Sequence, residues 1–395
     1  MKPIKLLTFF VFVGTAFLFA CKNDPKISVS PETTLPAPPP SPKPEMYLYE
    51  VAVDKLNLRD QPNKNGKVIT QFAEGDFVEG IGEVSSNKEE VTLRNIPYNE
   101  PYFKVTSRTP EQYNGWAFSA ALVPVYAGPR ATSPDLGKLV QFTMFLKTLD
   151  VKKLDSGKKA WDYVTQNLGN AQGTLADATF ILLERFLFRM EIEGNFYEMT
   201  EKINWVDADY LAIQEDKFDL KKYTSTQKIA ENGFRLEVGE GMVFPVVDWS
   251  KFGAFFSTRV TPPMKNYLEQ NIMEHQEQIW SDGGIILPLE QVADRAAWWE
   301  KFNQANPYFV RSEETQNAQH GLLFMLICGA DNTPVFDYEN QTLTADFKKV
   351  WAYVQSKYSG TKLGRAIREM DELVAAEGGK KTPKVEALME RYMKE

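Results

Sequence analysis

The sequence predicts a multidomain chain: a small all-β domain over residues 47–127, then a larger, mainly α-helical domain over residues 132–395. Three observations predict it. Apolar and polar residues alternate with period two from Tyr47, between residues that favour turns. Beyond Thr132 the apolar residues recur at helical spacing. Ahead of Tyr47 stand only an apolar leader and a proline-rich stretch with no core-forming pattern. The roughly 350 residues that follow these are enough for two or more domains.

The leader, residues 1–20, begins with Lys2 and Lys5 and continues into the apolar run Leu6 to Phe19. A basic start, a short apolar core and a small residue at the end describe a secretory signal peptide. The core is about 14 residues long, short of the roughly 20 a spanning helix needs. Leu18-Phe19-Ala20-Cys21 resembles the lipobox of bacterial lipoproteins. That resemblance implies cleavage before Cys21, a diacylglyceryl group on its thiol and an acylated amino terminus, so that the membrane is the first expected partner. Several acyl chains, at about 0.8 kcal/mol per buried methylene, make a lasting anchor where one does not. An ordinary secreted protein whose signal ends near a cysteine is the alternative. Lys22 stands where the inner-membrane retention signal of enteric lipoproteins has Asp, which points to the outer membrane.

The linker, residues 21–46, is rich in Pro, Ser and Thr and too poor in apolar residues to fold alone. From Pro31 to Pro44 it could reach roughly 40 Å at about 3.1 Å per residue. With Cys21 lipidated, Cys328 has no partner, so no internal disulfide is expected. A net charge of −8 argues against a nucleic-acid partner, because phosphate backbones reward basic surfaces.

In the β domain, Leu56/Leu58, Phe72 and Phe77/Val78 carry the alternation, and Asn65-Gly66 and Glu74-Gly75-Asp76 supply turns. Leu56-Asn57-Leu58-Arg59, Pro62, Lys67-Val68-Ile69, Phe103-Lys104-Val105 and Gly115-Trp116-Ala117, ending at Leu122, follow one another in the order of a known pattern. Here the chain resembles the bacterial SH3-type domain over about a fifth of its length, which implies a small SH3-like β-barrel. Two departures stand out: Val84 to Pro101 is longer than the usual hairpin, and Ala117 replaces the commoner Val. The resemblance further implies a partner in cell-wall material (peptidoglycan) or a peptide. The candidate ligand-binding residues are Asn57, Arg59, Tyr102, Tyr113 and Trp116. Aromatic faces beside a few polar donors suit peptide or sugar contacts. Asn57 and Arg59 equally fit the bracing of a turn, and Trp116 the filling of the barrel.

In the helical domain three starts share one signature, Ser133-Pro134, Thr261-Pro262 and Thr382-Pro383: a hydroxyl cap followed by proline where no N–H is needed. Val385, Leu388, Met389 and Tyr392 lie on one helix face, as do Leu289, Val292, Ala293, Ala296 and Trp299. Phe347, Val350, Trp351, Val354 and Tyr358 form another such stripe. "LADATFILLERFLFRM" is apolar almost all round and predicts a central buried helix. Phe234 to Asp248 reads as a hairpin or loop, and no internal repeat is evident.

No catalytic residue, metal or cofactor is expected. Two histidines, His275 and His320, are too few for a multi-histidine metal site. On one helix, His320 and Cys328 would stand roughly 12 Å apart, whereas a nucleophile and its base need about 3 Å. Cys328 also lies within "LLFMLICGA", where burial raises a thiol pKa. "EVGEG" and "EGIGE" lack the lysine of a phosphate loop, and "DNTPVFDYENQT" lacks the spacing of a calcium loop. The expected protein is a non-catalytic, lipid-anchored envelope protein. Its rival is a lipid-anchored wall hydrolase using carboxylates of the helical domain, with Glu240 and Asp248 as first candidates. In cells fed labelled palmitate, the wild type is expected to take up label and Cys21→Ser is not; equal labelling of both would refute the anchor.

Overall fold

A computed structural model describes residues 43–108, 111–130, 133–239 and 241–394. The leader, Cys21 and nearly all of the linker lie outside the described residues. An antiparallel β region comes first and a mostly helical region follows. The chain forms two compact units: one holds the β region and the helices through Met273, the other begins at Glu274.

The β region runs through β1 (Met46–Val51), β2 (Leu56–Arg59), β3 (Val68–Phe72), β4 (Phe77–Val84), β5 (Glu89–Leu93), β6 (Ile96–Glu100), β7 (Tyr102–Ser107), β8 (Asn114–Phe118) and β9 (Leu122–Gly128). Seven strands form one sheet in the order β3-β2-β8-β7-β4-β1-β9. Their inward side chains, among them Val51, Leu58, Val78, Val105 and Phe118, make a dry core. The long segment Val84 to Pro101 is a hairpin of its own. Arg94 and Asn95, both at positive φ, form the two-residue turn of β5–β6, whose backbone twist matches the flanking strands. Val91, Leu93 and Tyr98 of this hairpin pack on the core.

The helical part of the first unit comprises α1 (Ser133–Lys147), α2 (Asp155–Tyr163), α3 (Thr174–Glu193), α4 (Tyr197–Glu201), α5 (Asp207–Gln214), α6 (Thr224–Glu231), the hairpin β10–β11 (Phe234–Gly239, Met242–Val247) and α7 (Trp249–Phe256). Helix α8 (Pro262–Gln276) carries the chain from the first unit into the second. As its composition predicts, α3 is buried on most of its faces, with Phe180, Leu183 and Leu187 fully enclosed. Phe180 sits 5.2 Å from Phe252 and 5.6 Å from Phe256, ring centre to ring centre. At the opposite side, β9 packs on α3 so closely that a Cβ at Gly128 would stand 2.9 Å from Thr174. Glu50 of β1 pairs with Arg185 of α3.

Two carboxylates of α3, the buried Asp177 and the half-buried Glu191, hold backbone amides. Asp177 accepts from the Thr261 N–H at 2.8 Å and its hydroxyl at 2.7 Å, fixing the start of α8. Glu191 accepts from Val247 N–H at 2.6 Å.

The second unit holds α9 (Leu289–Ala305), α10 (Ser312–Cys328), α11 (Ala345–Tyr358), α12 (Lys362–Ala376) and α13 (Pro383–Lys394). Its core is built on Trp299 and Trp351, both almost wholly buried; the Trp351 indole donates to Leu326 O at 2.9 Å. The buried Glu300 of α9 accepts from Lys362 and Leu363 N–H at 2.6 and 3.0 Å, satisfying orphan amides at the start of α12. Two short hairpins, β12–β13 (Trp280–Ser281, Gly284–Ile285) and β14–β15 (Gly329–Ala330, Thr333–Pro334), lock together through Asn332 N–H to Gly283 O at 2.9 Å and Ile285 N–H to the Thr333 hydroxyl at 2.9 Å. Three times among the described residues, then, a two-stranded hairpin separates two helices. The sequence shows no such recurrence.

Burial pushes the carboxyls of Asp177 and Glu191 up to about 7, outweighing the hydrogen bonds that pull them down. The folded state therefore holds more protons than the unfolded state between their ordinary values and about pH 7, so stability falls as pH rises through that window. The melting temperature is expected to be higher at about pH 5.5 than at about pH 7.5, and Asp177→Asn to flatten part of that slope. Thermal scans at the two pH values check this; a steeper slope in the variant would contradict it.

Candidate functional site

The candidate surface begins with strand register. Arg59 of β2 stands opposite Trp116 of β8, and Trp116 opposite Lys104 of β7. The Lys104 ammonium lies 5.9 Å from the Trp116 ring centre and 3.1 Å from Glu83 of β4. A cation, an aromatic ring, a second cation and a carboxylate thus cross four strands in a row. Trp116 is half-buried and packs on the core. Arg59 donates to Gly66 O at 2.7 Å and so also braces the β2–β3 turn. Two residues along β2, Asn57 accepts from the Gln71 side chain at 2.8 Å.

The strand beside this row is the sheet's uncovered edge. β3 has β2 as its only neighbour in the sheet, and among the described residues no backbone hydrogen bond leaves its outer side. Val68 and Ile69 are about two-fifths exposed, 40% and 38%, and the strand Val-Ile-Thr-Gln-Phe carries neither charge nor proline. Natural sheets usually defend such an edge with Lys, Pro or short length. This one is open.

Of the five residues singled out in the sequence, Arg59 and Trp116 stand together and Asn57 lies close along the same strand. Tyr113 is exposed beside the β7–β8 connection, its N–H bonded to the Ser107 hydroxyl at 2.8 Å. Tyr102 is a correction. It is only 3% exposed, stacks edge-on against Phe118 at 5.4 Å and donates its hydroxyl to Glu89 at 3.1 Å. Burial, with Glu89 beside it, pushes its phenol up to about 12. A ring enclosed in this way offers no face to a ligand. Sequence reasoning passed over Lys104, Gln71 and the β3 edge, although Lys67-Val68-Ile69 was in view; exposure has no sequence signature.

Asp248 caps α7, accepting from Lys251 N–H at 3.2 Å. Glu240 lies outside the described residues. Asp177 and Glu191, fourteen positions apart on one helix, are separated by roughly 21 Å along its axis, well beyond the 5–9.5 Å or so between the two acids of a glycosidase. His320 and Cys328 do share one helix, α10, and burial pushes the thiol up to about 11. Among the described residues no cluster of three or more His, Cys, Asp or Glu could hold a metal, and no helix is long and apolar enough to cross a membrane. Comparison with protein-family models, curated proteins and solved structures yields no match.

The two tyrosines part company in their expected response to truncation. Tyr102→Ala empties a core site and should cost about 3–5 kcal/mol by analogy with other buried aromatics. Tyr113→Ala should stay within about 0.5 kcal/mol of wild type. Urea unfolding of both checks this, and equal losses would contradict it.

Proposed function

We propose that this chain is a lipid-anchored cell-envelope protein, held at the outer membrane through Cys21, whose β region is an SH3-type module that binds an extended peptide of the cell wall. The observation that carries the reading is the uncovered β3 edge beside the Arg59–Trp116–Lys104 row. An extended peptide can add to an open edge by main-chain hydrogen bonds, while neighbouring side chains select its residues. Arg59 and Lys104 supply cationic donors for the carboxylates of such a peptide, and Trp116 an apolar body between them. The leader and lipobox supply the location and the proline-rich linker supplies the reach. The helical region carries no assigned chemistry in this reading.

The test is co-sedimentation of the full-length protein with purified peptidoglycan, backed by titration with a soluble stem peptide. Wild type should bind both. Val68→Lys, which places a charge on the edge, and Lys104→Ala, which removes a cation, should each weaken binding by about 1–3 kcal/mol with the circular dichroism spectrum unchanged. A wild-type protein that binds neither wall nor peptide would overturn the proposal.

A further inference from the structure

The hairpin β10–β11 is a two-stranded sheet of its own, an arrangement only marginally stable in water unless it packs on something else. Its base is pinned by Asp248 N–H to Gly233 O at 2.9 Å. Beyond the base, side chains of α3 and α4 hold the second strand. Glu191 accepts from Val247 N–H at 2.6 Å, and the Thr200 hydroxyl donates to Val243 O at 2.6 Å. The Tyr197 hydroxyl donates to the Met242 sulfur at 3.2 Å. Phe234, Leu236, Val243 and Val247 are buried in the docked hairpin.

The charges gathered at this contact do not balance. Glu184 and Glu191 stand seven positions apart on α3, two turns along one face of the helix. Arg235 and Glu237, two positions apart, share one face of β10 and pair with each other. Glu184 and Glu237 are buried, and both repel a charge on Glu191, whereas Arg235 attracts it. Three carboxylates thus meet one guanidinium. The other charges of the adjoining elements are committed elsewhere or exposed: Arg185 pairs with Glu50, Arg189 with Glu193, Glu198 accepts from Asn195, Asp248 caps α7, and Glu201 faces solvent.

Burial first, then Glu237 and Glu184, push the Glu191 carboxyl up to about 7, against the pull of Val247 N–H and Arg235. A neutral Glu191 still accepts from Val247 N–H through its carbonyl oxygen. An ionised one adds a second uncompensated negative charge where water screens poorly. Undocking the hairpin returns that charge to water, so ionisation favours the undocked state.

We propose that Glu191 is a pH-sensitive latch: protonated, it holds the β10–β11 hairpin on α3, and as pH rises it ionises against Glu184 and Glu237 and releases the hairpin. Unlike the loss of overall stability, this release is confined to one element, a local opening about the Gly233–Asp248 base. The experiment is hydrogen exchange of the full chain at pH 6 and pH 8, each rate divided by the intrinsic rate at that pH. A carboxyl at its ordinary value in the open hairpin and at about 7 in the docked one raises the opening equilibrium about tenfold between these pH values. Protection of residues 234–247 should fall by that factor, and at pH 8 they should exchange faster than the amides of β1. Glu191→Gln keeps an acceptor for Val247 N–H and removes the charge, so its hairpin protection should be the same at both pH values. Asp177→Asn, at the far end of α3, should leave the wild-type fall intact, and this decides the matter if Glu191→Gln does not fold. Equal wild-type protection at both pH values, one common rate for hairpin and β1 at pH 8, an undiminished fall in Glu191→Gln, or its loss in Asp177→Asn would overturn the latch.

Discussion

A twenty-residue helix that is apolar on nearly every face is stable in water only when something covers it all round. That requirement organises the first unit. β9 covers α3 on one side; α1, α2, α7 and the β11 strand cover the others. The ends of the helix are tied by carboxylates, Asp177 to the start of α8 and Glu191 to β11, and in its middle Arg185 pairs with Glu50 of β1. The β region is therefore fixed to the helices by both packing and charge, and its opposite edge is left free.

The proposed peptide site follows from this arrangement. The β3 edge is open because β9, not β3, is the strand that α3 covers. A π turn, Val164–Leu168, follows α2 just before the chain enters α3, where Arg259 also bonds Gly169 O at 3.0 Å.

Much of the fold was legible because local rules were obeyed. Asn65-Gly66 marked a turn, and helices begin at Ser133, Pro262 and Pro383, where hydroxyl-proline pairs pointed. The buried helix was read from composition alone. Tyr102 was misread because the groups that enclose it, Phe118 and Glu89, are distant from it in sequence and meet it only across the folded sheet and the β5–β6 hairpin. The division near Met273 was hidden because α8 runs straight through it, with no linker composition to mark it. The π turn is built from ordinary helix formers and polar residues, so nothing in Val-Thr-Gln-Asn-Leu announces it.

Strand β1 lies between β4 and β9 and is hydrogen-bonded on both sides, and it is the first element among the described residues. Ladder bonds run across the strand axis. A pull on the N-terminus along that axis loads both ladders in shear, so many bonds must fail together rather than one at a time. A hairpin peeled from its end would unzip under far smaller tension. Under the function proposed above, with an anchor ahead of β1 and a wall peptide on β3, this topology makes β1 a mechanical clamp: the load reaches a doubly bonded strand before it can reach β3.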